Sequence, residues 1–466
     1  MQKRFLFLIG ALVLVVALFI TAIVLGRNGK DVPEELTKPV TLRYWRVFDG
    51  QDDFAQIIGA YRALHPHVTI EYRQFSFDEY EDALLRAWAK GEGPDIFAIQ
   101  NTWFRKYQVD GFLAPIPPTT QVAQFHVVKA LGIRPEIRVT APVSQSLTVS
   151  DLRAQFVDAV AEDVVTENQI FGLPLSLDTL ALYYNKRLLT QAKIAVPLEN
   201  YTDLLNHVDR LRLQDADDEI VQAAVSFGTS MNITRSQDIL LLLMMQNLEQ
   251  VNLELLESGG RANLLTPSPV EPGQVPAKNA LDFYTSFASP ARESYTWNED
   301  QPASLDAFTE GRLAYFPGYA YHKPMIDAAA PTLEYGVIPF PQLQREVNIA
   351  NYWAEVVSSR SANTNVAWDF VQFAARADQV TSYLNNTQKP TALKSLIAAQ
   401  LQDPFLAPFA NQTLLAKTWY HGYQPRVAEQ YVQDAITAIV EGTATPDETL
   451  QRLSQQLLST YSPKGL

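Results

Sequence analysis

Apolar and polar positions alternate along two stretches near the start of the chain, Val40-Thr41-Leu42-Arg43-Tyr44 and Val68-Thr69-Ile70-Glu71-Tyr72, and each predicts a strand. A short apolar run behind Pro94-Asp95, Ile96-Phe97-Ala98-Ile99, predicts a third. Between them the apolar period lengthens. Phe54, Ile57, Ile58, Tyr61 and Leu64 recur at helical spacing, with Asp52 or Asp53 placed to cap the start and His65-Pro66 to end it. Tyr80, Leu84 and Trp88 mark a second helix, with Gly91 beyond its end. Strand-helix-strand-helix-strand within about sixty residues predicts right-handed crossovers and a parallel sheet.

The centre of the chain is organised by Phe171 to Lys186. A turn punctuated by Gly172 and Pro174 opens an apolar run through Leu180, Ala181, Leu182, Tyr183 and Tyr184, which reads as a buried strand. Leu204, Leu205, Val208 and Leu211 predict a helix over 201–213, and 238–256 predicts a second whose apolar part is too short to cross a bilayer. Leu305 to Glu310 reads as a helix end capped by Gly311, followed by a strand over Leu313 to Phe316. Asn365 to Ala375 is a further helix, and Thr445-Pro446-Asp447-Glu448 is a capping box opening the last one. Residues 115–165, with five prolines between Pro115 and Pro142, and the loop from Pro267 to Pro276 show no convincing period.

Length adds that one core is not enough: 466 residues call for two lobes. Hydrophobic residues at 47% and charged residues at 19% describe a globular chain. With Lys+Arg 37 against Asp+Glu 51, the net charge of −14 argues against a nucleic-acid partner. No cysteine is present, which excludes disulfides, thiolate catalysis, cysteine-bound metals and a lipidated cysteine. At the amino end, Phe5 to Leu25 is 21 residues without a charge, long enough to span about 30 Å of bilayer core. It lacks the short core and small-residue exit of a cleaved signal peptide. Residues 5–25 are therefore expected to form an uncleaved transmembrane signal anchor in the cell membrane, with 27–38 as a tether and the bulk of the chain outside the cytoplasm.

Parallel sheets bind ligands beyond the carboxyl ends of their strands. That rule selects Trp45, Phe48, Asp49 and Asp52 after the first strand and Asn101 and Trp103 after the third. Flat rings and hydrogen-bonding groups together suit a sugar, whose C–H faces stack while its hydroxyls need fixed partners. Each tryptophan reads equally as a core residue. Asp178 either caps a turn or anchors a ligand in a cleft. Trp419, Tyr420 and Tyr423 cluster at a turn, where they either stack on a sugar or pack locally. The six histidines show no metal-binding spacing, and no nucleophile elbow, Walker loop or dinucleotide fingerprint occurs. Two of Asp49, Asp52 and Asp178 would make a glycosidase pair only at a separation that sequence does not supply.

Several of these segments resemble the carbohydrate-type extracellular solute-binding proteins of ABC importers, the maltose-binding-protein-like family. Val40 to Trp45, His65 to Glu71 and Gly93 to Phe97 are similar to its opening; Phe171 to Lys186 to its "GLP…aLyYNK" stretch; Phe308 to Tyr321, Tyr335 to Pro339 and Asn351 to Val357 to later ones. The resemblance implies an α/β, two-lobed periplasmic-binding-protein-like fold of type II, here with an N-terminal transmembrane helix. It divides the chain into 39–158 (first lobe), 159–330 (second), 331–388 (return to the first) and 389–466 (C-terminal helices of the second). It adds Tyr184, Tyr319 and Trp353 as ligand contacts, with tyrosine at 319 where the family usually has tryptophan. The candidate binding residues are thus Trp45, Asp49, Asp52, Asn101, Trp103, Asp178, Tyr184, Tyr319, Trp353, Trp419 and Tyr420. The expected function is non-enzymatic capture of a carbohydrate by a monomer and its delivery to ABC permease subunits, with no metal or cofactor. An anchored sensor without transport, or a glycosidase, are the alternatives.

Overall fold

The computed structural model describes residues 32–128, 136–247, 264–268, 271, 273–343 and 345–463. The expected anchor at 5–25 lies outside them, and no described helix is long and apolar enough to cross a membrane.

The three predicted strands form at Val40–Val47, Val68–Phe75 and Ile96–Gln100 and pair in parallel, with the first in the middle. Successive side chains of the central strand face opposite sides of the sheet. Tyr44 packs on Phe54 and Tyr72 at ring distances of 5.4 and 5.1 Å, while Trp45 meets Phe75 at 4.6 Å. The helices Gln51–Leu64 and Phe77–Ala89 bury the predicted apolar faces. The first helix is capped differently from expectation. Gly50 is the N-cap, and Asp53 sits a turn inside, accepting the Gly50 N–H at 2.8 Å. Trp353–Ser358 adds antiparallel to Ile96–Gln100, and Leu173–Pro174 completes the edge.

A second sheet has the strand order Leu213–Gln214, Ile220–Val225, Leu313–Gly318, Ala181–Asn185, Tyr335–Pro339. Its core takes in the helix Ser236–Asn247, buried from Ser236 to Gln246, and the capping-box helix Pro446–Ser459. Tyr335–Pro339 was expected in the first lobe. It pairs instead along the whole of Ala181–Asn185, because a short apolar run joins whichever edge offers matching register.

Each lobe has its own apolar core, and the chain passes between them three times. Asp178–Thr179 and Asn348–Asn351 make the first two passages and the chain between Ile397 and Phe405 the third; Asn348–Asn351 also pairs with Asp178–Thr179 on one side and Ala416–Lys417 on the other as a small three-stranded hinge sheet. The divisions at 158/159, 330/331 and 388/389 are therefore corrected. Ala159 to Leu177 remain in the first core, Phe340 to Ile349 belong to the second, and Ala392 to Ile397 return to the first. Core membership follows packing of buried side chains, and the polar residues at 176, 178 and 179 mark where the Phe171 run leaves one core for the other. That run is three short strands in three sheets rather than one. Within 115–165 the first lobe carries two small hairpins, Thr119–Gln121 with Val143–Gln145 and Gln124–Val128 with Glu136–Thr140.

Candidate functional site

Beyond the carboxyl end of Val40–Val47 the backbone turns sharply at Phe48, which has φ +65°. Its carbonyl accepts from the Gln74 amide at 2.8 Å, and the next carbonyl, of Asp49, accepts from the Tyr72 hydroxyl at 2.7 Å. So pinned, the Phe48 ring stands 60% exposed. It stacks on Phe77 at 5.9 Å and meets Trp353 edge-on at 5.8 Å. Trp353 in turn touches Phe77 at 6.2 Å, Tyr80 at 6.0 Å and Trp103 at 5.4 Å. Phe48, Phe77 and Trp353 thus form an aromatic wall, with Trp103 and Tyr80 buried behind it.

The second lobe approaches this wall from the start of helix Pro425–Val440. The Arg426 guanidinium lies 4.8 Å from the Phe77 ring centre and 5.3 Å from that of Trp103, and pairs with Glu81 at 3.3 Å. One turn further on, Glu429 accepts from Arg235 at 3.1 Å, and Arg235 grips Asp238 with two hydrogen bonds of 2.8 and 2.9 Å. Burial raises the Glu429 carboxyl, and Asp238 adds to this against the pull of Arg235. Asp238 also accepts from the Tyr319 hydroxyl at 2.6 Å, and half-buried Tyr321 lies parallel to Tyr319 at 5.6 Å.

Asp178 sits on the hinge between the two sides. Its oxygens accept from the backbone N–H of Thr179 at 2.9 Å and of Tyr321 at 3.3 Å, at the start of the turn Ala320–His322. Burial nevertheless dominates and lifts its carboxyl to about 7, while the Lys389 ammonium acts weakly in the other direction. Lys389 belongs to a buried charge network with Asp49, Arg46, Glu355 and Tyr383. Burial of Asp49 favours its neutral form, yet Arg46 and Lys389 outweigh it and hold the carboxyl below its ordinary value.

The candidates from sequence therefore fall into groups. Trp353, Trp103 and Asp178 are at the junction of the lobes. Tyr319 is wholly buried behind Tyr321. Asp49 is saturated by its ion pairs, so it positions neighbours rather than offering a free carboxylate. Asn101 is buried in the hinge, donating to the Ala350 carbonyl at 3.0 Å and the Thr418 hydroxyl at 2.7 Å. Trp45 is buried between Phe75 and Arg73. Asp52 is exposed on the first helical turn and has no hydrogen bond or ion pair to the group among the described residues. Tyr184 lies over Gly336, where an added Cβ would come within 2.4 Å of its ring. Trp419 and Tyr420 are buried together at 5.2 Å, with Tyr420 donating to the Thr460 carbonyl, so local packing accounts for them. Sequence reasoning missed Phe77, Arg426, Arg235, Glu429 and Lys389. Only Arg426 left a signal, since Pro425 at the first helical position marks an open helix start beside it. Two cavities, of about 370 and 450 Å³, lie on other parts of the first lobe, around Arg43 and Asp95 and around His65 and Gln372.

Residues 56–408 match the family model described as bacterial extracellular solute-binding protein. A binding protein of Brucella abortus is 19% identical over 337 residues, covering 72% of this chain and 71% of that protein. Among solved structures, an ABC transporter solute-binding protein from Thermotoga lettingae bound with α-D-tagatose superposes with a TM-score of 0.67 at 18% identity, over 91% of this chain and 100% of that one. A cyclic α-maltosyl-1,6-maltose binding protein from Arthrobacter globiformis gives 0.67 at 17% identity, over 91% and 99%.

Proposed function

The chain belongs to the bacterial extracellular solute-binding proteins, and from that premise we propose that it captures a sugar or oligosaccharide between its lobes and hands it to an ABC importer while residues 5–25 hold it at the membrane. Like its family it is a binding protein, not an enzyme. The observation that carries the ligand class is the aromatic wall of Phe48, Phe77 and Trp353 facing the charged Arg426, Glu429 and Arg235 cluster. Rings take the C–H faces of a pyranose or furanose, while Asp178 and the opposing charged groups take hydroxyls. A sugar that touches both lobes stabilises the approached state by its contacts to the second side, with no bond made or broken. The anchor keeps the receptor at a high effective concentration near a permease.

The sugars named for the two structural neighbours, α-D-tagatose and cyclic α-maltosyl-1,6-maltose, set the first panel. In thermal melts of the full chain in mild detergent, a cognate sugar at about a hundred times its Kd adds about 2.7 kcal/mol of stability. Trp353→Ala removes that shift. A panel in which no sugar moves the midpoint overturns the ligand class.

A further inference from the structure

The larger cavity of the first lobe, about 450 Å³, shares no residue with the aromatic wall or the hinge sheet. It is enclosed by the end of helix Gln51–Leu64, the hairpin Thr119–Gln121 with Val143–Gln145, helix Val149–Gln155 and helix Thr364–Ala374. Its size is that of a small-molecule site, for which about 300–1,000 Å³ is usual.

His65 gives the cavity a chemical direction. The ring is 2% exposed, stacks on Tyr61 at 4.3 Å and bonds through Nδ1 to the Ala123 carbonyl at 2.8 Å. A carbonyl only accepts, so Nδ1 carries the proton and Nε2 keeps its lone pair. Burial holds the ring's pKa below its ordinary value, so it is neutral at pH 7. Nε2 meets no hydrogen-bond donor among the described residues. What it faces, at 3.9 Å, is Asp369 Oδ2, a second acceptor. Asp369 already takes the hydroxyls of Tyr61 and Thr120, each at 2.9 Å, and every carboxylate oxygen has a further lone pair. Two acceptors this close, with no protein donor between them, are matched to an incoming O–H.

The rest of the lining is amide and hydroxyl rather than free charge. The side chains of Gln124, Gln155 and Ser144 make no hydrogen bond among the described residues. Asp151 caps its own helix, accepting the Thr148 N–H at 3.0 Å, and Arg376 is paired with Asp378 at 3.2 Å. Phe156 and Phe373 add ring surface. A neutral polyhydroxy molecule meets all three demands at once: O–H donors for the acceptors, oxygens for the amide N–H groups, and C–H faces for the rings.

We propose that this cavity is a second saccharide site, in which one hydroxyl of a mono- or disaccharide donates to His65 Nε2 beside Asp369 while Gln124 and Gln155 take neighbouring hydroxyls. It lies outside the cleft between the lobes and does not depend on what the cleft holds.

The test is saturation-transfer NMR on the full chain in mild detergent, with glucose and trehalose as probes and detergent micelles alone as the blank. Four chains are compared: wild type, Trp353→Ala to silence the cleft, Gln155→Trp to plug the cavity, and the double variant. Gln155 is exposed at a helix end, so an unchanged melting midpoint is expected for the plug. Trp353→Ala is expected to keep a transfer signal from at least one sugar, and the double variant to lose it. His65→Phe keeps the stacking ring without its nitrogens, and in the Trp353→Ala chain it is expected to lose the signal as the plug does. The difference between wild type and Trp353→Ala reads the cleft alone. No signal from either sugar in Trp353→Ala overturns the second site. An equal signal with and without the plug means that the sugar binds elsewhere and overturns it too, as does a folded His65→Phe chain with its signal intact. Transfer to putrescine but to neither sugar would make the cavity a cation site and overturns the saccharide class.

Discussion

At Phe48 the backbone conformation, φ +65°, costs a residue with a side chain about 1–2 kcal/mol. The neighbouring hydrogen bonds from Gln74 and Tyr72 hold it there, and the ring that results is exposed. Strain kept for the sake of an exposed ring fits a ligand contact better than a packing one. Phe48→Gly releases the strain and removes the ring together. It is expected to weaken sugar binding about tenfold while the melting midpoint holds or rises, by calorimetric titration and thermal melts of one preparation. Loss of stability with full affinity retained would show that the ring packs rather than binds. Asp178 makes a second prediction at this scale. Its carboxyl is lifted by burial to about 7, against about 4 in an unfolded chain. The folded state therefore holds this proton more tightly. The resulting stability is complete below about pH 4 and is lost as pH rises through about 7. Asp178→Asn does not titrate, so wild type is expected to lose ground against it between about pH 5 and pH 8. A difference in midpoint that stays flat over that interval counts against a buried, proton-binding Asp178.

Among the elements, the hinge sheet depends most on single side chains. Asn348 is fully buried in it, and its amide oxygen accepts from the Leu180 N–H at 3.0 Å while its nitrogen donates to the Leu180 carbonyl at 2.8 Å. Asn348→Ala leaves that N–H without its partner, at a cost of about 1–3 kcal/mol, read as a lowered midpoint in urea. Thr445→Ala, which removes a cap from an exposed helix start, is expected to cost only about 1 kcal/mol; equal losses would mean that the hinge is not the more constrained element. The same contrast explains what could be read in advance. The Thr445 capping box, the helices of the first lobe and its parallel strands follow from neighbours in sequence, and they stand where periodicity places them. The hinge strands do not. Leu173 to Asn185 is buried at every position but Tyr184, and its hinge strand is only the two residues Asp178–Thr179, so no alternation reveals that it changes sheet twice. Trp419 and Tyr420 misled for a related reason: rings at a turn look exposed in a sequence, whereas here Trp419 packs on Tyr420, and Thr460 and Tyr461 near the carboxyl end cover Tyr420. Phe77 and Arg426 are 349 positions apart, and such a pairing leaves no local trace.

Across the whole molecule, the two lobes are joined beyond the hinge by the segment around 417–426. Lys417, in the hinge strand, pairs with Glu162; past it His421 pairs with Asp163, Tyr423 with Asp110 and Arg426 with Glu81, in these three cases second-lobe chain against first. Only Arg426 among them also lies over the aromatic wall, so its contacts exist only while the lobes stand this close. Removing it costs the approached arrangement about 1–2 kcal/mol and costs a separated arrangement nothing. A sugar that brings the lobes together must then supply that difference itself, and the apparent Kd of Arg426→Ala is expected to rise up to about tenfold. The saturated complex is unaffected in shape. Small-angle scattering at high sugar concentration should therefore give the same radius of gyration for variant and wild type, with the half-point of the change displaced. High salt should reproduce part of the shift in wild type by screening the pair between exposed Arg426 and half-buried Glu81, and have less effect in the variant. If the variant binds as tightly as wild type, Arg426 does not hold the lobes together; if it binds weakly but saturates at a different radius, it shapes the closed state rather than setting its population.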